Sequence, residues 1–177
     1  MRIGPFFRIL SLSAAVLVVG CDDDDDPVGP VTETFAATLT GDAERPDPRT
    51  TPAQGTATFT FRNDSLTWSI AMTSITNVTA AHIHIGDANT AGGILLALTP
   101  GTSGVSNTLI TGVVTRAGFT APAPPNDAVT FDDLLELMRT DGAYVNVHTD
   151  DPVTDPSDTG PGDFPGGEIR GQIDVVP

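Results

Sequence analysis

Three histidines are the only histidines in 177 residues, and they fall in two short blocks. Ala81-His82-Ile83-His84-Ile85 places His82 and His84 two residues apart. On a β-strand that spacing sends both imidazoles to one face and Ile83 and Ile85 to the other. Tyr144-Val145-Asn146-Val147-His148 repeats the pattern, with Tyr144, Asn146 and His148 on one face and the valines behind. Imidazole suits copper and zinc, and a His-x-His pair on a strand is a two-ligand platform. A third imidazole from another strand would complete a three-nitrogen site with an open position. His82, His84 and His148 are therefore candidate ligands for one copper or zinc ion. The competing expectation is a hydrogen-bonded framework on a sheet face. Asn146, Glu168, Arg170 and Gln172 share the polar side of their strands and could form a network with the histidines. Catalysis finds little support. There is no Gly-x-Ser-x-Gly elbow, no free cysteine nucleophile and no evident pair of carboxylates. The chain is expected not to be an enzyme.

Positioning such residues requires strands, and from Thr32 onward the apolar period is two. Phe35, Ala37 and Leu39 alternate with Thr34, Ala36, Thr38 and Thr40. Ala57, Phe59 and Phe61 face one way, and Thr56, Thr58 and Thr60 the other. Arg62 to Ser65 reads as a turn, so 55–61 and 66–72 should pair antiparallel. Further strands are expected at 78–85, 94–98, 109–115, 144–148 and 168–175. The 94–98 segment, apolar throughout, is expected to be buried on both faces. Thr130 to Asp133 resembles a capping box ahead of an apolar stripe at Leu134, Leu135, Leu137 and Met138, which predicts one short helix near 130–140. Gly and Pro supply 33 of the 177 residues, in keeping with many turns. The expectation is an all-β fold: an antiparallel, Greek-key-like β-sandwich of about eight strands with that one helix.

Net charge is −15, with eight basic residues against 23 acidic ones. So acidic a chain is repelled by phosphate backbones, which excludes nucleic acid as a partner. One cysteine excludes an internal disulfide and a cysteine-rich metal site. That cysteine follows Val18-Val19-Gly20, after Arg2, Arg8 and an apolar run too short to span a bilayer. Residues 1–20 resemble a lipoprotein signal peptide, with Cys21 as the acylated first residue of the mature chain. Residues 21–32, with Asp22 to Asp26 and Pro27 to Pro30, read as an extended acidic tether. The expected location is the cell envelope, lipid-anchored to a membrane and facing the periplasm or the outside.

A family resemblance rests on several blocks together. These are Leu39 to Pro46, Ala81 to His84 with Gly86 and Gly92-Gly93, Tyr144 to Thr149, and Pro165 to Ile173. They resemble the CHRD domain, a module named from chordin that also occurs in bacterial secreted proteins. The resemblance covers about residues 33–175, nearly the whole of the expected mature chain, and implies an all-β extracytoplasmic domain without a settled activity. The expected function is a non-enzymatic binding module, with an envelope protein as a possible partner, the metal-binding role being the alternative. The chain departs from the family in its Asp- and Pro-rich insertion at 150–164. It departs again in having Glu44-Arg45-Pro46-Asp47 where the family has Glu-Val-Pro-Pro. His82 to Asp87 also loosely resembles the copper ligands of copper/zinc superoxide dismutases. That enzyme's dinuclear centre needs more histidines than this chain has.

Overall fold

The computed structural model describes residues 31–98, 109–120, 122–126, 128–151 and 160–177. Residues 1–30 lie outside it, and with them the expected signal peptide, Cys21 and most of the acidic tether. So do residues 152–159 of the insertion.

Among the described residues nine strands form: β1 (Glu33–Thr40), β2 (Gln54–Arg62), β3 (Ser65–Thr73), β4 (Val78–Ile85), β5 (Ile94–Ala97), β6 (Leu109–Thr115), β7 (Ala143–Thr149), β8 (Ile169–Gln172) and β9 (Asp174–Val176). Among the same residues one α-helix, α1 (Phe131–Arg139), interrupts them. The all-β antiparallel character and the single helix match the sequence expectation. The strands belong to one continuous sheet in the order β5-β4-β7-β8-β1-β2-β3-β6, with β9 also on β1. The sheet curls into a half-barrel. The two ends of the sheet approach each other: Trp68 Nε1 on β3, the neighbour of edge strand β6, donates to the carbonyl of Leu98, just past edge strand β5, at 3.1 Å.

The inner face is the apolar one of each alternating pair. Phe35, Leu39, Phe59, Leu66, Ile70 and Ile83 are all fully buried in one core. Each such side chain contributes roughly 1.5–3 kcal/mol of burial. The β2–β3 hairpin pairs as the turn predicted, with Phe59 opposite Trp68. Helix α1 begins with a capping box: Thr130 accepts from Asp133 N, and the Asp133 carboxylate accepts from Thr130 N at 2.9 Å. Its Phe131, Leu134, Leu135 and Met138 close one end of the core. No helix among the described residues is long and apolar enough to cross a membrane.

Two sequence expectations are corrected. Residues 168–175 form two strands, because Ile173 N leaves the ladder to donate to Ala143 O. Strand β5 is an edge strand, so it is not buried on both faces. Leu95 is covered and Ile94 is 42% exposed.

The outer face divides in two. On one side, Thr34, Ala36 and Thr38 of β1 stand beside Thr56, Thr58 and Thr60 of β2. Next come Thr67, Ser69 and Ala71 of β3, then Leu109, Thr111 and Val113 of β6. None of these is charged. The other side, on β4, β7 and β8, carries the histidines.

Candidate metal centre

Strands β4 and β7 run antiparallel with His82 opposite Asn146, His84 opposite Tyr144 and Ala80 opposite His148. Cross-strand partners share a face, so this register alone gathers the three histidines on the outer side. Ile83, Val145 and Val147 anchor them from the core side at zero exposure. The imidazole centroids are 5.0, 5.5 and 5.7 Å apart. One ring nitrogen from each histidine lies within 4.8 Å of the others. Nitrogens bound at about 2.0–2.1 Å to a single ion are separated by no more than about twice that length, so a modest inward turn of the rings closes the set.

Hydrogen bonds decide which nitrogens are free. His84 Nδ1 lies 2.9 Å from the carbonyl of Gly92, and His148 Nδ1 lies 3.0 Å from that of Pro165. A carbonyl can only accept, so both Nδ1 atoms carry the proton in the neutral ring. The lone pair is then on Nε2. Both Nε2 atoms are buried and without a partner, as is Nδ1 of His82. An oxygen holding the remote N–H of a metal-ligating imidazole is the usual outer arrangement of such sites. Burial pushes all three histidines below their ordinary pKa, and His82, further opposed by His148 and His84, falls to about 4. All three are neutral at pH 7, as ligation requires.

The loop from 86 to 93 that supplies the Gly92 carbonyl is itself held. Gly92 N donates to the Tyr144 hydroxyl at 3.1 Å. Tyr144 stacks on His84 with centroids 5.2 Å apart and planes 13° from parallel. From β8, Arg170 lays its guanidinium 3.4 Å from the Tyr144 ring centroid. Its Nη2 donates to the carbonyls of Asp87 and Thr90 at 2.5 and 2.8 Å. A side chain at Gly92 would strike the Ile85 carbonyl, so the hairpin closes only on glycine there.

Behind the histidines lies a polar layer. Asn146 bridges in register between His82 and Arg170. Its Nδ2 donates to Glu44 Oε2 at a long 3.4 Å. Glu44 is 2% exposed, and burial pushes its carboxyl up to about 7 against the pull of Arg170 and Arg49. Gly167, at φ +122°, leaves the space they use: a Cβ there would sit 2.5 Å from Asn146 and 2.8 Å from Glu44 Oε1. Among the described residues, eight buried side-chain polar atoms lack a hydrogen-bond partner, and all belong to this one region. They come from the three histidines, Glu44, Arg49, Asn146, Arg170 and Gln172. Such atoms are normally paired, so their confinement to one patch marks a place built to hold something.

The expected network forms only in part. Asn146 and Arg170 stand beside the histidines, whereas Gln172 donates to the carbonyls of Gly86, Asp141 and Ala143. Glu168 is fully buried and turns to Thr51 Oγ1, Thr149 Oγ1 and Gly162 N instead. It ties the 160–167 segment to the sheet and so positions the Pro165 carbonyl that holds His148. Glu44 is the residue missing from the sequence-derived site. In sequence it is one acid among many in a turn, and its only signal was membership of the family's opening block.

The family model for the CHRD domain matches residues 35–154. The chain belongs to the CHRD domain family. No curated protein matches the chain. The matched CHRD segment contains all three histidines, Asn146 and Glu44. Strands β8 and β9, which bring Arg170 and complete the sheet, lie beyond it.

Proposed function

We propose that this CHRD domain is a non-enzymatic metal-binding module of the cell envelope that holds one copper or zinc ion on His82, His84 and His148. One observation carries the reading. Three neutral imidazoles converge to within 4.8 Å, and two are pre-set by backbone carbonyls to present unpartnered Nε2 atoms. The donor set is all nitrogen, which selects copper or zinc over calcium or magnesium. The lipid anchor at Cys21 and a periplasmic or external position belong to the same proposal. They rest on the Arg-flanked apolar leader that ends at the chain's one cysteine. An extracellular-type module with such a site would capture or carry metal at a membrane surface, with or without an envelope protein partner.

The test is metal content. Residues 32–177 are loaded with copper or zinc, freed of excess and analysed for bound metal. The parent should retain close to one equivalent, and His82→Ala/His148→Ala should retain less than about a tenth of that. Absence of stoichiometric metal in the parent would return the histidines to a framework role.

A further inference from the structure

Arg170 is a residue whose burial the fold alone does not explain. It is 1% exposed, and burial holds its guanidinium below the ordinary pKa. Placing a charge there is costly. Yet the carbonyls that its Nη2 serves, those of Asp87 and Thr90, belong to an exposed loop where water would serve them as well. The arginine is not needed to satisfy those groups. Its effect is to fix where the loop stands.

That loop turns as one piece. Thr90 N donates to Asp87 O at 3.3 Å, and Asp87 Oδ1 accepts from Asn89 N at 2.8 Å and from Thr90 Oγ1 at 3.1 Å. A grip on Asp87 and Thr90 therefore holds the whole turn, and Gly92 follows two residues later. The same guanidinium lies on the Tyr144 ring, whose hydroxyl accepts from Gly92 N. Two routes from one side chain thus end at Gly92, whose carbonyl meets His84 Nδ1 at 2.9 Å. Such a bond sets which nitrogen of a neutral imidazole carries the proton. With the carbonyl in place the proton stays on Nδ1 and the lone pair on Nε2. Without it the two tautomers mix, and one of them has no lone pair at Nε2.

We propose that Arg170 is a positioning residue of the histidine cluster: acting through the 86–93 loop and Tyr144, it sets which nitrogen His84 presents and hence how tightly a metal ion is held. The second half rests on the metal-binding reading above, whereas the tautomer is a property of the metal-free protein. A planar guanidinium suits the task, because it lies on a ring and donates from its edge at once. A lysine ammonium keeps the charge and cannot do both. The charge itself works the other way, since Arg170 opposes positive charge at His84. Removing an arginine that acted by charge alone would strengthen metal binding, and removing one that positions weakens it.

Residues 32–177 contain every described strand and the whole core cluster, and they are the unit to test. NMR of isotope-labelled, metal-free protein at neutral pH reads the proton on each imidazole. In the parent, His84 and His148 should both carry it on Nδ1. In Arg170→Lys and Arg170→Met, His84 should become a mixture of tautomers. His148, held by the Pro165 carbonyl on another loop, should keep its own. Zinc affinity should fall about ten- to a hundredfold in both variants, the usual loss when the partner of a ligating imidazole is disturbed. An unchanged His84 tautomer in both variants overturns the proposal. So does zinc held as tightly as in the parent, or more tightly by Arg170→Met. Scrambling of His84 and His148 together would be general loosening and overturns it too. Urea transitions show whether each variant is folded. If the Arg170 variants are not, Tyr144→Phe decides: it keeps the ring and removes the hydroxyl from Gly92 N, so an unchanged His84 tautomer there counts against the proposal. A parent with the expected tautomers that retains no zinc ends the metal reading alone.

Discussion

The outer surface of this single sheet is built in two contrasting ways. Across β4, β7 and β8 the outward side chains are imidazole, amide, phenol and guanidinium, and loops cover them until His84 is 8% exposed and Arg170 1%. Across β1, β2, β3 and β6 they are mostly hydroxyl and methyl and stand open to solvent. The strands, pairing and core beneath are of the same kind on both sides. The difference lies in the connections. The turn between β2 and β3 is two residues, Asn63 and Asp64, at positive φ, and covers nothing. The segments 41–53, 86–93 and 160–167 are long enough to fold back over the polar half. Covering polar groups costs desolvation, and the cost is seen as the raised pKa of Glu44 and the lowered pKa of His82. A protein tolerates such groups where a ligand or an ordered partner satisfies them. The open half carries no such cost.

Substitutions in the two halves should therefore differ in size. Gly167→Ala should have the largest effect. It forces a Cβ onto Asn146 and Glu44 at a backbone angle of φ +122°. A loss of about 3 kcal/mol in urea unfolding is expected. A loss under about 0.5 kcal/mol would mean that the covering loop yields easily and that the polar layer is not tightly built.

The next effect is pH-dependent. In the unfolded chain the Glu44 carboxyl ionises near 4.5, and in the native protein near 7. Between those values the native state holds the extra proton, so Glu44 costs stability as pH rises from 4.5 through 7. Glu44→Gln should gain about 1–3 kcal/mol over the parent at pH 8 and nearly nothing at pH 4.5. The sign reverses for His82, whose native pKa near 4 lies below the ordinary 6.5. It costs stability as pH falls from 6.5 to 4 and leaves the Glu44 difference untouched. Equal stability of Glu44→Gln and parent at both pH values would remove Glu44 from the buried layer.

The smallest effect belongs to the open half. Thr67→Ala, exposed near the start of β3, should change stability by about 0.5 kcal/mol or less. A change comparable with that of Gly167→Ala would erase the contrast between the halves.

Much of this was legible in the residues themselves. Alternation in β1, β2 and β3 identifies the buried side of each strand, since the side-chain period of a strand is two. The same rule put His82 with His84 and Asn146 with His148. The Thr130–Asp133 cap located the helix start because its hydrogen bonds are local. The edge position of β5 was not legible, because an apolar run looks alike whether one face or two are covered. Glu44 escaped for a different reason. It is 102 residues from Asn146, and nothing near it in the chain distinguishes it from a solvated acid.

The sequence by itself determined the strand periodicity, the faces, the neutral and acidic character of each segment, and the three imidazoles as candidate ligands. These follow from local stereochemistry and composition. Only the tertiary structure decided that β4 and β7 are neighbours in a register that brings His148 to His82 and His84. It also decided which carbonyls hold the Nδ1 protons, and that Glu44 lies beneath Asn146. Those facts depend on strand order and loop closure, where contacts between residues distant in the chain are selected by the packing of the whole core.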